Sequence, residues 1–126
     1  MMLRHARLTL FAVIVAGATV SSAMTQESLD LLFEITVDGS VVARPEVRVD
    51  RGGKGVITLG ERQAQAQVAF VPTLRGDDIL IVFDIVDGDK RLAPTLRISE
   101  TVPGSIEWIS PAHRQKTVRL AVSWVR

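Results

Sequence analysis

His113 is the one side chain in residues 24–126 whose ordinary pKa lies near neutral pH. Such a base drives nucleophilic catalysis when it reaches a hydroxyl or thiol and is oriented by an acid. It stands in the polar turn Pro111–Gln115, beside Arg114 and Lys116, where a solvated imidazole is the plainer reading. One histidine and no cysteine leave a zinc site short of donors. Carboxylates gather at Asp77-Asp78 and at Asp84, Asp87 and Asp89. Paired acids can cleave glycosides, and converging oxygens can hold calcium. No calcium-loop spacing is present, however. Asp77, Asp78, Asp87 and Asp89 fall where turns are expected, and there Asp bonds nearby backbone.

Gly52-Gly53-Lys54-Gly55 lacks the P-loop spacing and a following helix, so it reads as a hairpin turn. Arg75-Gly76-Asp77 spells a tripeptide known from cell adhesion, but it sits where a β-turn is needed. Arg48 and Arg97 hold matching places on two similar strands, facing outward. They are candidate contacts for an acidic partner, and otherwise ordinary polar-face residues. No catalytic, metal or cofactor residue is assigned, so a non-enzyme is expected.

The elements that would position these residues begin after an unusual start. Arg4, His5 and Arg7 form a basic head, Leu8–Val20 is apolar and uncharged, and Ser21-Ser22-Ala23 ends it with small residues. This is the three-part form of a signal peptide, residues 1–23, cut after Ala23. A membrane-spanning helix needs roughly 20 apolar residues, more than this run supplies. Arg4 and Arg7 leave with it and no acid does, so 15 Lys+Arg and 14 Asp+Glu become 13 and 14. A nearly neutral domain offers no field for nucleic acid or anionic lipid. The chain has no Asn, no Tyr and 12 Arg to 3 Lys, a bias expected of a GC-rich bacterial genome. The expected location is therefore periplasmic or secreted. The absence of cysteine means that an apolar core alone must hold the fold.

Met24–Asp30 reads as a flexible leader, and residues 31–126 as one domain. Strands of period two are expected at Leu31–Val37, Ser40–Arg44, Glu46–Asp50, Gly55–Leu59 and Gln63–Val71, the last ended by Pro72. More follow at Ile79–Val86, Thr95–Ser99, Ser105–Ile109 and Lys116–Val125. No window carries helical periodicity. The second set echoes the first. Phe33-Glu34-Ile35 matches Phe83-Asp84-Ile85, Val37-Asp38-Gly39 matches Val86-Asp87-Gly88, and Pro45 matches Pro94. Val47-Arg48-Val49 matches Leu96-Arg97-Ile98, and Gly55 matches Gly104. The reading is a tandem repeat of about fifty residues, copies 31–74 and 79–126. One such copy is marginal alone, whereas two can bury their apolar faces as a two-layer antiparallel β-sandwich. The expected core is Phe33, Ile35, Phe70, Phe83, Ile85, Trp108 and Trp124.

Two stretches carry a resemblance. Ala43-Arg44-Pro45-Glu46-Val47-Arg48-Val49 precedes Gly55-Val56-Ile57-Thr58-Leu59-Gly60. Val68-Ala69-Phe70-Val71-Pro72-Thr73-Leu74 precedes Asp77-Asp78-Ile79-Leu80-Ile81. Together they resemble the β-module of bacterial secretins, the outer-membrane rings of type II and type III secretion and of pilus systems. The resemblance implies an envelope β-module that docks with other β proteins. The chain departs from that family in lacking its preceding periplasmic domains and its long pore-forming hairpins.

The function expected is a non-catalytic protein-interaction or structural module of the cell envelope, paired with an envelope protein or with itself. The alternatives are a small outer-membrane β-barrel and a hydrolase or small-ligand-binding protein.

Overall fold

Alternating apolar side chains become paired strands from Leu29 to Val125. The computed structural model describes residues 12–18, 28–50, 52–61 and 64–125. Among the described residues there are eleven strands: β1 (Ala12–Ala18), β2 (Ser28–Val37), β3 (Ser40–Ala43), β4 (Glu46–Asp50), β5 (Lys54–Glu61), β6 (Ala64–Arg75), β7 (Asp78–Asp87), β8 (Lys90–Leu92), β9 (Thr95–Ser99), β10 (Gly104–Ser110) and β11 (Lys116–Val125). A 3₁₀ turn, Pro111–His113, joins the last two. The described residues contain no α-helix.

Every pairing among the described residues is antiparallel. One sheet runs β1-β5-β6-β7, and β8 and β9 share the far edge of β7. The other runs β10-β11-β2, and β3 and β4 share the far edge of β2. The two sheets form an all-β sandwich and do not close into a barrel. Neither sheet belongs to one half of the chain: β2 pairs with β11, and β6 pairs with β7.

Proline explains why each central strand has two short neighbours in place of one long one. Pro45 separates β3 from β4, and Pro94 separates β8 from β9. Proline cannot donate to the ladder, so pairing stops there. Its carbonyl still accepts. Phe33 N–H donates to Pro45 O at 2.9 Å, and Phe83 N–H donates to Pro94 O at 2.9 Å.

The core lies between the sheets. Phe33, Ile35, Phe70, Phe83, Ile85, Trp108 and Trp124 are all buried, as the alternation predicted. Each contributes roughly 1.5–3 kcal/mol of burial. The Phe70 ring lies 5.0 Å from that of Phe33 and 6.1 Å from that of Phe83, so it bridges the two sheets. Gly55 faces Phe70 across the β5–β6 pair, and a Cβ at Gly55 would come within 2.3 Å of the Phe70 ring. The position therefore has room for glycine only.

Several expectations are corrected. The segment read as a loose leader enters the sheet: Ser28, Leu29 and Asp30 pair with Asp50, Val49 and Arg48, and Leu29 is buried. An apolar Leu29 opposite Val49 extends the two-residue alternation outward. Residues 24–27 lie outside the described set, as do residues 1–11 and 19–23 of the expected signal peptide. Pro72 does not end its strand, because β6 continues to Arg75. Pairing with β5 stops at Phe70, so at Pro72 one side of β6 is a free edge that needs no N–H. The glycines Gly52 and Gly53 form no hairpin. Gly53 N–H donates to Asp50 O at 2.6 Å, and the turn carries the chain from one sheet to the other.

Candidate functional site

The cluster with the most chemistry gathers where the 3₁₀ turn folds over a sheet end. It contains Asp87, Trp108, Ser110 and His113. Asp87 is the last residue of β7, Trp108 and Ser110 lie on β10, and His113 ends the turn. Asp87 and Ser110 are fully buried. Burial of a carboxylate is costly unless its oxygens are satisfied. Trp108 Nε1–H donates to one oxygen at 2.7 Å, and Ala112 N–H donates to the other at 2.8 Å. Ser110 Oγ accepts His113 N–H at 3.2 Å, capping the turn, and lies 2.8 Å from His113 Nδ1. Arg114 follows in the left-handed conformation and reverses the chain into β11.

The residue types are those of a hydrolytic triad, but the roles are different. A nucleophile must reach substrate, and Ser110 is sealed from solvent. Asp87 spends its two oxygens on an indole and a backbone amide. The arrangement is a clasp that fastens the turn to the end of the sheet. Two expectations change here. Asp87 is a buried anchor for residues 21 and 25 positions away, not a turn acid bonding nearby backbone. His113 is half-buried, and its Nε2 lies 3.1 Å from where a Cβ on Gly60 would stand. Burial pushes its pKa below 6.5, with Asp87 raising it and Lys116 lowering it further.

Arg48 and Arg97 occupy opposite sheets, Arg48 on β4 and Arg97 on β9. Each is exposed and already meets a carboxylate of this chain. Arg48 Nε lies 2.7 Å from Asp30 Oδ1, and its NH2 lies 3.2 Å from Oδ2. Arg97 lies 3.6 Å from Asp78. Arg44 meets Glu34 at 2.9 Å, and Arg91 grips Asp84 at 3.1 and 2.9 Å. The outward acids of both central strands, β2 and β7, are thus paired by arginines from the returning chain. Hydrogen bonds from Arg48 and Arg91 hold the Asp30 and Asp84 carboxyls below the usual range. Exposed pairs of this kind contribute little to stability, because water screens them.

The remaining motifs resolve as turns. Gly76-Asp77 makes the two-residue link between β6 and β7, with Arg75 opposite Asp78. Among the described residues no group of three or more His, Cys, Asp or Glu is placed to hold a metal ion. No helix among them is long and apolar enough to cross a membrane.

Sequence could have flagged the clasp only through Trp108 and Asp87. Asp87 is the one charged residue on the buried phase of β7, but nothing in its spacing links it to Trp108. No family model matches the chain, and no curated protein or solved structure is significantly similar to it.

Proposed function

We propose that this chain is an exported, non-catalytic β-sandwich that works by binding another protein of the cell envelope. The observation that carries the reading is the pair of open sheets. Sheets that do not close end in strands whose N–H and C=O groups are free on one side. Such edges take strands from other chains by main-chain hydrogen bonding. The basic head, uncharged run and small-residue end of residues 1–23 support export. The secretin-like stretches support an envelope address. Duplication of an ancestral unit is supported by the matched prolines: Phe33 to Pro45 and Phe83 to Pro94 make the same hydrogen bond.

In-cell cross-linking of a carboxy-terminally tagged chain tests the reading. The expected result is one dominant envelope partner, identified by mass spectrometry of the captured complex. Capture of no envelope protein at expression levels that label known neighbours would overturn it.

A further inference from the structure

The edges of the two sheets are guarded unequally. β3 has four residues, and β8 has three and carries Lys90 and Arg91. β4 holds Glu46, Arg48 and Asp50, and β9 holds Arg97. β10, seven residues long, has Glu107 at its centre, and Lys90 Nζ donates to its Ile109 carbonyl at 2.9 Å. Shortness and central charge are the usual defences of a sheet edge. β5 has neither. It is eight residues long, and Gly55-Val56-Ile57-Thr58-Leu59-Gly60 carries no charge. A bare strand of that composition would associate with whatever strand it met.

β5 is covered instead by β1. Ala12–Ala18 pairs with it antiparallel over seven residues, from Ala12 opposite Gly60 to Ala18 opposite Lys54. That cover lies inside the apolar run of the expected signal peptide. The buried residues of the two sheets from β2 onward lie between Leu29 and Trp124. Loss of residues 1–23 removes the cover and nothing else that is described.

We propose that β5 is a strand-acceptor site, opened when the leader is removed. Its occupant is an extended segment of a partner protein, uncharged, about seven residues long, built of small and β-branched residues. The sequence seated there, Ala-Val-Ile-Val-Ala-Gly-Ala, defines that chemistry. The proposal rests on the reading of the chain as a binding module and names its site.

The test uses the chain purified from exporting cells. Its amino-terminus is read first by mass spectrometry and is expected at Met24. A synthetic peptide of the Ala12–Ala18 sequence, flanked by lysines for solubility, is then added. The expected result is one peptide per chain, with slowed amide exchange at Val56 and Thr58. A peptide carrying cysteine in place of Ile14 should form a disulfide with the Thr58→Cys chain, because Ile14 faces Thr58 in the register. Thr58→Lys should weaken uptake about tenfold or more while the near-ultraviolet spectrum of Trp108 and Trp124 stays unchanged. A control peptide with Asp replacing Val13 and Val15 should not bind. Three results would overturn the proposal: retention of residues 12–18 in the exported chain, equal uptake of both peptides, or a Thr58→Cys chain that cross-links only to itself. The last would assign the edge to a second copy. Peptide uptake without a cross-linked envelope partner would leave the acceptor site standing and the envelope role refuted.

Discussion

The two halves of the molecule share one frame and finish it differently. In the first, β2 is flanked by β3, β4 and β11. In the second, β7 is flanked by β8, β9 and β6. Each central strand leads into an Asp-Gly turn, Asp38-Gly39 after β2 and Asp87-Gly88 at the end of β7. Asp38, at φ 51°, stays exposed in its tight turn and accepts Thr117 N–H at 2.9 Å. Asp87 is buried and holds Trp108 and Ala112. Each half also places a glycine in the first two residues of a hairpin strand, Gly55 in β5 under the Phe70 ring and Gly104 in β10 against Ile98 and Leu96. A common frame therefore fixes backbone pairing, while single side chains decide what each end is for. The second half spends its aspartate on a clasp. The first leaves an uncharged strand that needs a cover.

The aspartates give the largest expected contrast. Asp87→Ala leaves the buried Trp108 donor and the part-buried Ala112 donor without their acceptor, a loss of about 2–4 kcal/mol. Asp38→Ala exposes its donor to water and should cost about 1 kcal/mol or less. Urea unfolding of the two variants measures both, and equal losses would erase the difference between the ends. The glycines come next. Gly55→Ala forces the Phe70 ring to move and should cost about 1–3 kcal/mol, as overpacked cores do. At Gly104 the nearest atoms to a new Cβ are at 3.1 and 3.2 Å and belong to side chains, so Gly104→Ala should cost well under half as much.

The clasp has its own pH signature. His113 binds its proton less readily when folded, so the unfolded chain takes up more protons as pH falls. Stability should therefore be fullest above 6.5 and decline as pH drops through and below that value, and His113→Gln should flatten the decline. Chemical denaturation between pH 8 and 5 compares the two. The smallest effects belong to the arginines. Arg48→Ala and Arg97→Ala should each leave the urea midpoint close to that of the parent chain, because water screens exposed pairs. A larger shift from either would mark it as more than one rung of an exposed ladder.

The strands were legible because period-two alternation is a local property. Glu46–Asp50, Thr95–Ser99 and Lys116–Val125 have the bounds that their side chains dictate. The aromatic core was legible for the same reason, since Phe33, Phe70 and Phe83 sit on the apolar phase of their strands. What escaped was long-range. Nothing in Lys90-Arg91-Leu92 announces a strand, because its pairing is imposed by β7. The exchange of strands between sheets depends on which edges meet, and alternation is silent on that. The surroundings of His113 and Asp87 were not legible, because their neighbours in sequence are polar, while their neighbours in space are Trp108, Ser110 and a strand end. The cover on β5 was invisible, since the same apolar residues that mark a leader also make a strand.

The exchange of strands has a consequence in time. β2, near the start of the described chain, is completed by β11, its last strand. Contacts so distant in sequence close slowly, on a scale of about milliseconds to seconds for all-β domains. The first half cannot settle while the second is still being made, because its central strand lacks one neighbour until Lys116–Val125 emerges. A polypeptide with that property stays threadable until Lys116–Val125 has been made and can pair with β2.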